Sequence, residues 1–109
     1  MSPMQRDIVR FRVLQAIEKN PKASQRELAK ELGVSLGSVN FCLKALVDKG
    51  LVKIENFVKS DHKKGYAYYL TPTGVVEKGE ITAQFLKRKV AEYELLKQEI
   101  EELKCQVQS

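Results

Sequence analysis

The residues whose types and spacing could do chemistry are Leu36, Gly37, Asn40, Phe41 and Lys44, at i, i+1, i+4, i+5 and i+8. That spacing defines one face of a helix. A solvated helix face is ordinarily rich in Lys and Glu; this one is small, amide, aromatic and singly basic. Small residues allow close approach to base edges, and an amide can bond adenine through two hydrogen bonds. Reading double-stranded DNA is the chemistry this set suits. The competing use of the same face is docking of a partner protein with Phe41 as an anchor, because exposed aromatics hold interfaces. Catalysis has no comparable footing. With one histidine, no clustered metal ligands and no glycine-rich phosphate loop, no nucleophile, base and oxyanion site can be assembled. No enzyme activity, cofactor or metal is expected.

The elements that must position this face run from Ser24 to Gly50. Ser24 with Glu27 forms a capping box, in which side chain and backbone satisfy each other's N–H groups. Leu28, Ala29 and Leu32 mark the apolar side of a first short helix, which Gly33 can end in left-handed geometry. Ser35 is a second N-cap. Val39, Cys42, Leu43 and Leu46 then recur as the buried stripe of a second helix, closed by Gly50. Ahead of this pair, Ser2 and Pro3 can start a helix carrying Ile8, Phe11, Val13, Leu14 and Ile17 on its core side, with Arg6, Arg10 and Arg12 outward. Asn20 and Pro21 stop it, and the three helices should share one core.

After Gly50, Leu51–Val58 and Tyr66–Leu70 are rich in β-branched and aromatic residues. Between them Lys59 to Gly65 is polar and ends in glycine, as a hairpin tip should. A helix-turn-helix followed at once by a hairpin is a winged helix. Lys59, His62, Lys63 and Lys64 at the wing tip are expected to meet phosphates or the minor groove. Tyr66 and Tyr68 share a strand face and are read as packing groups.

Thr71 as N-cap and Pro72 at the first helical position open a last helix, with Gly74 and Gly79 expected to weaken its first two turns. A heptad begun at Leu86 places Leu86, Tyr93, Ile100 and Val107 at a, and Leu96 and Leu103 at d, interrupted by Lys89. Glu92 and Glu99 fall at g, and Lys97 and Lys104 at e. A parallel pair sets each Glu against a Lys five positions on in the partner, whereas an antiparallel pair sets like against like. Exposed pairs contribute well under ~1 kcal/mol each, but their sign discriminates between the arrangements. The expected fold is therefore mainly α with a small β-hairpin. A winged helix-turn-helix DNA-binding domain over 1–74 is followed by a C-terminal dimerisation helix over 75–109, a coiled coil of two parallel copies.

Charge agrees with that division. Residues 1–80 hold 14 Lys/Arg against 9 Asp/Glu, while residues 81–109 hold 5 of each, so the net excess lies with the helix-turn-helix, where phosphates would need it. Two distant cysteines, Cys42 and Cys105, make neither a disulfide framework nor a zinc site. No apolar run is long enough to span a bilayer, and charges run throughout the first fifteen residues, so a cytoplasmic protein without a secretory signal is expected.

Three stretches taken together, SQRELAKELGVSLGSVNFCLKALVDKGLV, then Asp61 to Lys64, then LTPTG, resemble the MarR family of bacterial winged-helix transcription regulators. The recognition segment SLGSVNFCLKAL and the tail FLKRKVAEYELLKQEIEEL are most similar to its small exopolysaccharide-associated branch. The resemblance implies that Ser35, Gly37, Ser38, Asn40, Phe41 and Lys44 contact DNA and that the wing tip touches backbone or minor groove. Ser24 and Gln25, at the start of the preceding helix, complete the expected DNA-facing set. Where typical members carry Asp-x-Arg at the wing, this chain has Asp61-His62-Lys63, and lysine lacks the flat fork of arginine. The resemblance names no small-molecule effector.

Overall fold

The computed structural model describes residues 3–60 and 63–108. The elements are α1 (Pro3–Lys19), α2 (Gln25–Leu32), α3 (Leu36–Asp48), β1 (Val52–Ser60), β2 (Lys63–Leu70) and α4 (Pro72–Gln108). The chain divides into two compact units, Met1–Gly79 and Glu80–Ser109.

In the first unit the apolar periodicities converge. Val13, Leu14 and Ile17 of α1, Leu28 and Leu32 of α2, and Val39, Leu43 and Leu46 of α3 are all buried. Each such side chain contributes about 1.5–3 kcal/mol by leaving water. Leu51, Val52, Ala67 and Tyr68 close this core from the hairpin base. Two positions expected in the core, Ile8 and Phe11, are only half-buried.

The helix ends follow their caps. The Glu27 N–H donates to Ser24 Oγ at 3.1 Å, and the Ser24 hydroxyl donates to the Glu27 carboxylate at 3.2 Å. Gly33 takes φ +68°, the left-handed turn that lets α3 start afresh. The Ser38 N–H donates to Ser35 Oγ at 3.1 Å. At the other end of α3 the cap is Lys49 in right-handed geometry, and Gly50, at φ +73°, is the turn beyond it.

The hairpin is longer than its sequence suggests. Antiparallel pairing runs from Val52↔Leu70 to Ser60↔Lys63, so Lys59 and Ser60 on β1 and Lys63, Lys64 and Gly65 on β2 belong to strands rather than to the tip. Gly65 reads as a loop glycine but has a packing reason: a Cβ there would lie 2.7 Å from the tip of the opposing Phe57 ring. Lys22 sits over the same ring, 5.1 Å from its centre. The Tyr68 N–H donates to the Pro21 carbonyl at 2.9 Å, which fixes the second strand to the link between α1 and α2.

Gly74 also differs from its sequence reading. Rather than loosening α4, it admits the Leu51 carbonyl, which would lie 2.0 Å from any Cβ. Around it the Thr71 N–H donates to the Leu51 carbonyl at 3.0 Å, and the Thr71 hydroxyl donates to the Gly50 carbonyl at 2.6 Å. The Gly74 N–H in turn donates to Thr71 Oγ1 at 3.0 Å. The first turn of α4 is thus bolted to the corner between α3 and β1. In the second unit, α4 continues as helix to Gln108.

Candidate nucleic-acid interface

The face of α3 expected to meet DNA is open where the sequence placed it. Phe41 is 77% exposed and Leu36 43%, and Gly37 and Lys44 are exposed as well. Lys44, with Arg26 and Lys30 on α2, makes no ion pair among the described residues. A cation without a carboxylate partner is available to a phosphate, and each phosphate so neutralised releases condensed counterions. Lys64 on β2 is exposed too. The Asp61 and His62 positions and the side chains of Lys59 and Lys63 lie outside the described residues, as does Ser2.

The serines are more committed than their types suggest. Ser24 and Ser35 accept the cap hydrogen bonds of their helices, and the Ser35 hydroxyl donates to Ser38 Oγ at 2.8 Å. Their first task is to start α2 and α3 in the right places, since a lost N-cap costs about 0.5–2 kcal/mol.

Asn40 is half-buried, and its side chain has a partner that sequence spacing did not reveal. Its Nδ2 donates to Gln25 Oε1 at 3.1 Å, and Gln25 Nε2 donates to the Tyr68 hydroxyl at 3.1 Å. The amide keeps its second N–H and its oxygen, the donor and acceptor that an adenine edge requires. Of the two tyrosines read as packing groups, Tyr68 is buried to 5% exposure, whereas Tyr66 stands 61% exposed.

Cys42 is half-buried rather than enclosed. Burial pushes its thiol up from the ordinary 9.0, partly opposed by the Arg10 guanidinium, so the neutral form prevails near neutral pH. It lines a cleft of about 620 Å³ between α1 and α3 together with Arg6, Val9, Arg10, Phe41 and Lys49. Among the described residues no acidic side chain lines this cleft, which sequence periodicity alone gives no means of finding.

In the second unit the expected seam is apolar and exposed. Leu86, Tyr93, Leu96, Ile100, Leu103 and Val107 are each 44–86% exposed. Lys89, the break in the heptad, pairs with Glu92 at 3.2 Å, and the exposed Val90 stands beside it. The run Leu86, Val90, Tyr93, Leu96, Ile100, Leu103, Val107 proceeds in steps of 4, 3, 3, 4, 3 and 4. Such a local insertion of three residues overwinds a coiled coil without ending its seam. Among the described residues no helix is long and apolar enough to cross a membrane.

Residues 6–53 match the family described as winged helix-turn-helix DNA-binding. The fold is similar to that of a PadR-like transcriptional regulator from Bacillus cereus, at 21% identity and TM-score 0.75, over 87% of this chain and 97% of that one. It is also similar to Streptococcus pneumoniae FabT, solved in complex with DNA, at 26% identity and TM-score 0.54, over 76% and 56% of the two chains. Staphylococcus aureus MarR, solved with salicylate and kanamycin, matches at 26% identity and TM-score 0.51, over 75% and 55%. No protein of curated function matches the sequence. The chain therefore folds as a winged helix-turn-helix followed by a long C-terminal helix, and the solved structures it is similar to include a PadR-like transcriptional regulator and MarR.

Proposed function

We propose that this protein is a sequence-specific regulator of transcription that binds double-stranded DNA as a homodimer. Residues 1–74 address the duplex and residues 75–109 pair two copies in parallel. The observation that carries the reading is the outer face of α3. It is small, aromatic and amide-bearing, open to solvent at Leu36, Gly37 and Phe41, and flanked by cations that make no ion pair among the described residues. Leu36, Gly37, Ser38, Asn40 and Phe41 meet base edges in the major groove, while Lys44, the wing lysines and the start of α2 meet the backbone. Pairing rests on the exposed seam of α4, an apolar stripe that water would otherwise cover along its length. Two recognition helices joined this way address half-sites about one duplex turn apart, ~34–36 Å, or a multiple of it. Promoters linked to exopolysaccharide synthesis are the regulated set to which the resemblance of recognition segment and tail points.

The test is selection from a randomised duplex pool, followed by binding to single-base variants of the winning site. A two-fold symmetric site should emerge, and Asn40→Ala should flatten discrimination at one base pair of each half-site by ~1–3 kcal/mol. A pool that yields no preferred sequence at any salt concentration would overturn the reading. In that case the 77% exposed Phe41 favours a protein partner docking on the same face.

A further inference from the structure

A hydrogen-bonded chain of three side chains crosses three elements. Asn40 on the recognition helix donates to Gln25 on α2, and Gln25 donates to Tyr68 on the wing strand, each at 3.1 Å. The far end is the rigid one. Tyr68 is 5% exposed, its ring lies in the core, and its backbone N–H is held by the Pro21 carbonyl at 2.9 Å. Gln25 is held at both ends, its oxygen by Asn40 and its nitrogen by the hydroxyl. A glutamine on a helix surface otherwise samples many rotamers, and an unbraced asparagine can present its amide either way round. With Gln25 Oε1 as acceptor, the nitrogen of Asn40 faces it, and the chain of hydrogen bonds holds the amide in one place and plane. What remains is one N–H and the carbonyl oxygen in a set position, a donor beside an acceptor, which suits adenine and mismatches guanine, whose edge offers acceptors only.

We propose that Tyr68 and Gln25 are positioning residues for base reading. By this account, discrimination at the base pair read by Asn40 depends on a phenol hydroxyl seated in the core. The inference rests on the DNA-reading role given to Asn40 above. It goes further in tying the wing strand to the choice of base, where Tyr68 by its type and burial would pass for a packing residue. It also gives Gln25 a task other than direct contact with DNA.

Tyr68→Phe is the test, because it keeps the ring and removes only the oxygen. On the selected site, preference at the Asn40 base pair should fall about fivefold, the worth of one hydrogen bond of ordinary strength. Preference at every other base pair, and the dependence of affinity on salt, should stay as in the wild type. Asn40→Ala combined with Tyr68→Phe should be no worse than Asn40→Ala alone. Gln25→Ala should reproduce the loss of Tyr68→Phe. In the protein without DNA, nuclear magnetic resonance of the Asn40 side-chain amide should show its signals moving in Tyr68→Phe.

Undiminished preference at the Asn40 base pair in Tyr68→Phe would overturn the inference while leaving Asn40 as a reader. So would a loss spread evenly over all positions, which is what a softened fold produces, or Asn40 amide signals that stay in place. If Asn40→Ala itself changes no base preference, the reading role falls and the positioning role falls with it.

Discussion

Gly74 and Gly79 lie in the same helix, and replacing each by alanine should change stability in opposite directions. In a helix interior alanine is favoured over glycine by about 0.8–1 kcal/mol, and at Gly79 nothing lies within 4 Å of the added methyl. Gly79→Ala should therefore stabilise by most of that amount. At Gly74 the methyl would start 2.0 Å from the Leu51 carbonyl oxygen, whereas ordinary contact begins at 3.4 Å. The obstacle is backbone, so the first turn of α4 and the start of β1 must part by about 1.4 Å. The hydrogen bonds from Thr71 to the Leu51 and Gly50 carbonyls, now 3.0 and 2.6 Å, cannot survive that opening. Two lost bonds of ~1 kcal/mol each, with the packing between them, outweigh the gain in helix propensity and leave a net loss of roughly 2 kcal/mol. Thermal and urea unfolding at one fixed protein concentration reads the difference, and a fall in Tm of roughly 10 °C is expected for Gly74→Ala. If Gly74→Ala proves as stable as Gly79→Ala, the close approach at this corner is wrong.

Four further outcomes are expected. Ile100→Glu should put like charges face to face at the a position and weaken self-association at least a hundredfold in sedimentation, given ~2 kcal/mol for each isoleucine buried. On the same seam Val90→Ala should weaken pairing more than Lys89→Ala, and the reverse order would remove Val90 from it. Lys64→Ala should lower the slope of log affinity against log salt by about 0.9 for operator and random duplex alike; an unchanged slope means that the wing lysine touches no phosphate. Because burial raises the Cys42 pKa, the unfolded chain loses its thiol proton first. Stability should therefore drop as pH climbs through the ordinary thiol value of 9.0, and Cys42→Ala should remove that part of the drop. An identical pH profile in the variant would refute it.

What was legible in the sequence was whatever repeats at a fixed period or sits at a helix end. The stripes ending at Ile17, Leu32 and Leu46, the caps at Ser24 and Ser35 and the turn at Gly33 are local, so spacing alone specified them. Contacts between distant residues were not legible. Gly65 and Gly74 look like loop and weak-helix glycines until Phe57 and the Leu51 carbonyl are seen against them. Tyr66 and Tyr68 are equivalent by alternation, yet only Tyr68 lies over the core, where it meets Gln25. The strict heptad stopped at Lys89 because a period of seven cannot register the single shorter repeat that brings in Val90.

The caps also bear on why two copies would be needed. Ser24 and Ser35 are occupied in starting α2 and α3, and Gln25 is held between Asn40 and Tyr68. Setting these aside as base readers leaves Asn40 as the one amide on α3, with Phe41 and Leu36 offering apolar contact to thymine methyls. Two or three reading groups at ~1–3 kcal/mol per base pair give one copy roughly 2–9 kcal/mol of discrimination, about 5 at the middle of the range. A genome offers ~10⁶ competing sites or more, and rejecting ~10⁶ takes about 8 kcal/mol at 1.4 kcal/mol per tenfold. At the middle of that range one copy falls short, whereas two, each reading its own half-site, reach about 10 kcal/mol and pass it. The seam on α4 and the reading face on α3 are therefore parts of one requirement. A monomeric variant such as Ile100→Glu should keep its non-specific affinity per copy and lose most of its preference for the selected site. If it retains the full preference as a monomer, α3 reads more than Asn40, Phe41 and Leu36 can supply, and this account of its chemistry is incomplete.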